Sequence, residues 1–461
     1  MANCHLGPQF PKWIQTQKNF SHIDISNASV FDTVPNWFWD LSPNVEYMNL
    51  STNELKRCGK GFSQKLKLKT LDLSNNNFLC PLPRFPPNLR MLDLSNNSFY
   101  GTFSHVCEIL DFNNSLEILD VSFNILSGVI PNCWTNGTNM IILNLANNNF
   151  IGSIPDSFGS LINLHMLLMY NNDLSGKIPN TLRNCTMMTL LDLQSNRFSG
   201  PIPSWIGTDM QILKTLILGR NSFDGNIPIS LCQLKSLHIL DLSENQLKGE
   251  IPRCVFPAMA TNESVNEKSY MEFLTIKESL SFYQSKTKYP IPITWEGLDW
   301  YFIGGVVGLA KLIDLSSNYL TEGIPVEMAK LVELISLNLS RNQLVGSIPS
   351  NIGKIPIGTE LQTLSGFCFE GFWVFWGSLI LIASWRHAYF RFLSNMNDRI
   401  YVTVVVAYNK LRRKLHAQQP PIQQLQPQYI EILEASAIAI VAASIYNTKH
   451  HNVNENDHNA T

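Results

Sequence analysis

Residues 164–179 read LHMLLMYNNDLSGKIP, and 24 residues further on, residues 188–203 read MTLLDLQSNRFSGPIP. Leu167, Met169 and Asn172 of the first stretch correspond to Leu191, Leu193 and Asn196 of the second. Near-copies at a fixed offset call for a search along the whole chain, because stacked repeats carry no upper limit on domain size. The asparagine recurs as Asn124, Asn148, Asn172, Asn196, Asn221 and Asn245, at spacings of 24, 24, 24, 25 and 24. Upstream, Asn97, Asn76 and Asn53 extend the series at spacings of 27, 21 and 23, and IDISNASV begins it with Ala28 in the asparagine position. Downstream, Asn318 and Asn342 are again 24 apart, which brings the count to twelve repeats.

Each residue type in the unit has a mechanical task. The leucines alternate with other residues, so a short strand directs them all to one face, where they form a shared interior. The asparagine follows the strand where the chain turns, and its amide satisfies backbone groups that would otherwise be buried without partners. Losing one such amide costs about 1–3 kcal/mol. The closing Ser-Gly-x-Ile-Pro supplies a glycine for backbone freedom and a proline for a fixed extended φ. The whole unit resembles the plant-specific leucine-rich repeat, LxxLxLxxNxLxGxIP, over most of residues 20–350. That resemblance implies a solenoid of the α/β horseshoe class, with strands on the concave face and short 3-10 or irregular segments on the convex side.

Composition excludes several alternatives. Charged residues make up 15% of the 461, against about 25% in an average soluble domain. The net charge of −2 offers no clustered basic face for nucleic acid. Nine cysteines are present and none forms a Cys-x-x-Cys pair, so neither zinc nor another metal is expected. GGVVG at 304–308 lacks the lysine of a phosphate loop. His450, His451 and His458 lie in a polar, Asn-rich tail and read as solvated. No grouping of catalytic residues converges, so the chain reads as non-enzymatic and without a cofactor.

The repeats occupy 1–256 (about ten) and 309–356 (two more), separated by an insertion at 257–308. The spacing from Asn245 to Asn318 is 73, about 49 residues more than one repeat, and TNESVNEKSYMEF and SFYQSKTKY are polar. After a juxtamembrane stretch at 357–366, residues 367–385 read FCFEGFWVFWGSLILIASW, with one charge. Nineteen residues at about 1.5 Å each just cross a hydrocarbon core of about 30 Å, so one transmembrane helix is expected. Arg386, Arg391, Arg399, Lys410, Arg412, Arg413 and Lys414 follow it, placing the C-terminus in the cytoplasm and the repeats outside. The opening MANCHLGPQFPKW shows no secretory signal. The tail at 386–461 contains no kinase motif.

SWRHAYFRFLSNMNDRIYV resembles the membrane-proximal cytoplasmic segment of plant leucine-rich-repeat receptor-like proteins of the xylanase-elicitor receptor type, and Trp295, Glu296 and Gly297 resemble the W-K-G segment of their island. The resemblance implies a single-pass plasma-membrane receptor, with an extracellular peptide, protein or glycan as ligand and with adaptor and co-receptor leucine-rich-repeat kinases as partners in defence or development. The family runs further repeats after the island, closed by a cysteine-containing cap, where this chain passes from IGKIP almost directly to the apolar segment. Two other readings stay open: a secreted inhibitor of a cell-wall hydrolase, which would lack a membrane segment, and a non-functional gene fragment. In the span itself, Gly371 and Gly377 remain while Val374 and Trp376 replace small residues, an expected weakening of helix contacts with an adaptor.

Ligand contacts are expected at solvent-facing strand positions that carry aromatic or charged groups: His165, Tyr170, Gln194, Arg220, His238 and Glu244. Asn-x-Ser/Thr sequons mark Asn19, Asn96, Asn113, Asn136, Asn184 and Asn262 for glycosylation. Asn27, Asn49 and Asn338 are weaker candidates near or on strands, and Asn459 lies beyond the span. Cys107 and Cys133 recur in nearly the repeat positions of Cys232 and Cys254, which suggests two disulfides between adjacent turns in an oxidising compartment.

Overall fold

The computed structural model describes residues 2–17, 19–40, 44–57, 66–112, 115–254, 256, 291–295, 298–302, 311–331, 334 and 336–349. Twelve three-residue strands, from His22–Asp24 to Ser336–Asn338, form one parallel sheet in chain order. Each strand presents its middle residue to the core: Leu143, Leu167, Leu191, Leu216 and Leu240 stand in register across five turns and are all buried. Leu145, Met169, Leu193 and Leu218, two residues later, join the same apolar interior. No turn could bury these leucines alone, so each neighbour supplies the other half of its core.

The asparagine ties the turns together as the repeat mechanics require. In repeat 7, Asn172 Nδ2 donates to Met169 O of its own turn at 3.1 Å and to Leu145 O of the preceding turn at 3.1 Å. Its Oδ1 accepts from Phe150 N at 3.0 Å. Asn148, Asn196, Asn221, Asn245, Asn318 and Asn342 repeat the pattern. The residue before the asparagine is left-handed in every repeat, including Asn147, Asn171, Ser195, Arg220 and Glu244, with φ between 50° and 54° at these five. Few residue types hold this backbone without cost, and asparagine is among those that do.

A second parallel sheet of eight strands runs along the flank, from Tyr100–Gly101 to Tyr319–Leu320. The repeat pattern alone does not predict it. It is made by the stretch in which Leu or Phe stands two residues before Gly, with glycines from Gly101 to Gly249 holding φ between 75° and 85°. In repeat 11 the sequence is TEGIP, so the glycine arrives one residue late and Glu322 takes the left-handed position at φ 65°. On the convex side, prolines precede short 3-10 turns such as Asp156–Ser160 and Asn180–Asn184; proline is favoured there because its φ is already fixed.

Both sheets continue from repeat 10 into repeat 11 across the insertion. Ile239–Asp241 pairs with Leu312–Asp314, and Lys248 and Gly249 pair with Tyr319 and Leu320. Within the insertion, Ile291–Trp295 and Leu298–Phe302 form an antiparallel pair. At the other end, residues 3–16 follow the second half of a further turn. Asn3 is left-handed at φ 60°, its N–H donates to Ser26 O at 2.9 Å, and Pro11 precedes the 3-10 turn Lys12–Thr16. Phe10 and Ile14 enter the core there.

Disulfides join Cys107 to Cys133 and Cys232 to Cys254, with Cα separations of 5.6 and 5.8 Å. Cys80 is also disulfide-bonded. Cys4 and Cys185 are free. Among the described residues no helix is long and apolar enough to cross a membrane; the span expected at 367–385, with Gly371, Val374, Trp376 and Gly377, lies outside them.

Candidate recognition face

Strand alternation sends the residues on either side of each core leucine to the concave surface. The segregation is visible in the packing: Met91, Ile118, Ile141 and Ile142 form one cluster and Ala146, Leu168, Tyr170 and Leu190 another, both separate from the core. Their low exposure follows from strands lying about 4.8 Å apart, which leaves neighbouring side chains shielding one another.

Two concave rows have a structural rule of their own. The third strand residue is an acid or amide in ten of the twelve repeats, and serine stands two residues later in eight. The reason is local. Asp72 Oδ1 accepts from Ser74 N at 3.0 Å and from Ser74 Oγ at 2.7 Å. Asp93 with Ser95 and Asp120 with Ser122 repeat the arrangement. The second carboxylate oxygen can be served across the sheet, as when Asn144 Nδ2 donates to Asp120 Oδ2 at 2.9 Å and Asn338 Nδ2 to Asp314 Oδ2 at 3.0 Å.

This rule fails in four consecutive repeats. In repeats 6 to 9 the serine position holds Ala146, Tyr170, Gln194 and Gly219, and the acid position holds Leu168 in repeat 7 and Ile217 in repeat 9. Asp192, between those two, is fully buried and accepts from Gln194 N at 3.1 Å on Oδ1, while its Oδ2 has no hydrogen-bond partner. Burial raises its pKa well above the ordinary carboxylate range, with Asp241 two turns away adding to the shift. Gly219 leaves no side chain beside Asp241, whose Oδ1 lies only 2.8 Å from where a Cβ would stand.

The six residues expected to contact ligand fall into three rows. Tyr170 and Gln194 lie on the concave face within the irregular patch. They are 7% and 3% exposed, a correction to the solvent-facing placement. Arg220 and Glu244 are exposed but occupy the left-handed turn positions, where Arg220 Nε meets Glu244 Oε1 at 3.0 Å. His165 and His238 precede the strands instead of lying on them. Each places Nδ1 against the carbonyl two residues back, Asn163 O at 2.7 Å and Ser236 O at 2.6 Å. His238 is buried, again contrary to expectation, and desolvation lowers its pKa, helped by Lys311 and Lys214. The structure thus brings Tyr170 and Gln194 together with Leu168, Asp192, Ile217 and Gly219, which the residue-type criterion missed. The signal was present as a departure from a four-letter word: LDLS at 71–74, 92–95 and 240–243, but LLMY at 167–170 and LILG at 216–219.

Among the sequons, Asn19, Asn96, Asn136 and Asn184 are exposed, whereas Asn113 and Asn262 lie outside the described residues. Asn96 Nδ2 donates to Asn75 Oδ1 at 2.8 Å. Asn27 is exposed, Asn49 fully buried and Asn338 half-buried. Among the described residues, no three His, Cys, Asp or Glu side chains converge to hold a metal ion.

The periodic core, the asparagine ties and the concave strands define a leucine-rich-repeat solenoid. The Leucine Rich Repeat family model matches at 67–89, 88–110, 115–136, 139–161, 163–185, 187–208, 236–257 and 333–355. The sequence of this chain is similar to those of plant receptor-like proteins. It is 37% identical over 145 residues to Receptor-like protein EIX2 of Solanum lycopersicum, covering 31% of this chain and 14% of that one. It is 34% identical over 165 residues to Receptor-like protein 6 of Arabidopsis thaliana, covering 34% of this chain and 16% of that one. The chain therefore matches only a small part of these relatives' length. Among solved structures, a TDR receptor aligns with a TM-score of 0.56 and 26% identity, over 76% of this chain and 56% of that one. The Arabidopsis receptor kinase HAESA, solved with the peptide hormone IDA and the co-receptor SERK1, aligns with a TM-score of 0.55 and 26% identity, over 76% and 54%.

Proposed function

We propose that this chain is a non-enzymatic receptor-like protein of the plant cell surface, whose concave patch in repeats 6 to 9 recognises a segment of an extracellular peptide. One observation carries the reading: the structural Asp–x–Ser rule of the concave face is abandoned in four adjacent repeats and kept on both sides of them. Residues freed from a structural task on a strand-built surface are the ones available for recognition. The peptide complex of HAESA supports a peptide as the ligand class, and its co-receptor supports signalling through a partner receptor kinase. The apolar segment at 367–385, with basic residues behind it, supports a single-pass anchor with the repeats outside.

Expression of the tagged chain in leaf cells tests this reading. The chain is expected in the plasma-membrane fraction, with glycans on Asn136 and Asn184, and in co-precipitates with a leucine-rich-repeat kinase. An unglycosylated chain confined to the cytosol would contradict it. Release into the extracellular fluid would favour the secreted-inhibitor reading instead.

A further inference from the structure

Asp192 is the one acid of its row, among those described, with a fully buried carboxylate oxygen lacking a hydrogen-bond partner. The solenoid could have satisfied it in two ways. A serine at position 194 would add an Oγ–H donor, as Ser74, Ser95 and Ser122 do for their own aspartates. An amide on a neighbouring strand would serve Oδ2, as Asn144 and Asn338 do. Both are absent: Gln194 donates only its backbone N–H, and the register partners of Asp192 are Leu168 and Ile217. An unpaired buried carboxylate is a cost to the fold, and nothing in the packing of this turn requires an acid there. The row tolerates a neutral amide, since Asn49, Asn144 and Asn338 occupy the same position.

The surroundings show how a ligand would reach it. Among the described residues the Gln194 carboxamide makes no hydrogen bond, so the side chain is not tied over Asp192. The next turn contributes only Gly219 in the same row, so no side chain of that turn packs over Gln194 from that position. Leu168, Tyr170 and Leu190 make an apolar wall on the other side. A carboxylate in an apolar setting selects a charged nitrogen over a neutral donor, because charge-assisted hydrogen bonds are the stronger ones and the partner must offset the carboxylate's lost hydration.

Building on the recognition reading above, we propose that Asp192 is the polar anchor of the concave patch and takes a lysine ammonium or arginine guanidinium carried on an otherwise apolar peptide segment.

The test uses the full chain, purified in detergent micelles and immobilised, and a pool of synthetic heptapeptides. All positions are apolar except the centre, which is lysine, arginine, glutamine, glutamate or leucine. The native chain is expected to retain lysine- and arginine-centred peptides at least tenfold over leucine- and glutamate-centred ones. Asp192→Asn is expected to bind the apolar pool without that preference, and to unfold at a higher urea concentration because a buried acid is replaced by the amide that the row carries at Asn49, Asn144 and Asn338. Retention with no preference at the centre, or with a preference unchanged in Asp192→Asn, overturns the anchor alone. Retention of no peptide by the native chain overturns the recognition reading and the anchor with it.

Discussion

At the scale of single residues, the repeat is held by positions whose backbone has no alternative. The asparagine ladder and the glycine of Ser-Gly-x-Ile-Pro were legible because their chemistry is tied to one conformation each. Glu322 is the informative exception: an exposed glutamate at φ 65°, with the glycine standing one residue late. A left-handed conformation costs a residue with a Cβ about 1–2 kcal/mol, partly offset by the greater unfolded-state entropy of glycine. Glu322→Gly is therefore expected to stabilise the solenoid by roughly 0.5–1 kcal/mol, read as a shift of the urea midpoint without a change in slope. Destabilisation by this substitution would mean that the glutamate side chain holds the turn. The contact residues were less legible, because residue type was taken as the signal. His238 is aromatic and titratable yet buried against its own backbone, whereas Gly219 has no side chain at all and shapes the patch.

At the scale of the strand, the concave aspartates act as a row. Asp72, Asp93 and Asp120 stand in register on three adjacent strands, and Asp241 and Asp314 on two. Burial and like-charged neighbours push the pKa of Asp93, Asp192 and Asp314 upward and that of Asp241 up to about 7. The folded chain thus holds protons that the unfolded chain, with aspartate pKa values near about 3.9, releases earlier. Their contribution to stability is fully present below about pH 4 and is lost as pH rises through the folded values, toward about 7 for Asp241. His238, with a lowered pKa, works the other way, losing stability as pH falls below its ordinary value. Between pH 6.5 and pH 8 the acids and His238 act in opposite directions, so the share of Asp241 is read from a variant. The urea midpoint is expected to be higher at pH 6.5, and Asp241→Asn, which removes the titrating group, is expected to shrink the difference. An unchanged difference in that variant would exclude Asp241 as its source. The strands themselves were readable from alternation, but the row was not. Alternation says which face a residue takes, and only the stacking register shows that acids from successive turns share one line.

At the scale of the molecule, the number of turns followed from counting asparagines, and the twelve concave strands each begin a few residues before one of those positions. The flanking sheet and the additional half-turn at residues 3–16 did not follow. Both are made by backbone pairing between turns, and the sequence marks them only weakly, as when Pro11-Lys12-Trp13 echoes Pro35-Asn36-Trp37. A solenoid uniform in its core departs from uniformity on its concave face in repeats 6 to 9, and in the proposed reading that departure serves recognition. Restoring the rule there tests it most directly. The double variant Leu168→Asn/Tyr170→Ser gives repeat 7 the residues found at Asn338 and Ser340. Its total retention of the same heptapeptide pool, measured beside the native chain and beside a Ser74→Tyr control in repeat 3, is the decisive quantity. The double variant is expected to keep its fold and lose at least nine-tenths of the retained peptide, while the control binds as the native chain does. Equal retention by the double variant and the native chain would contradict it.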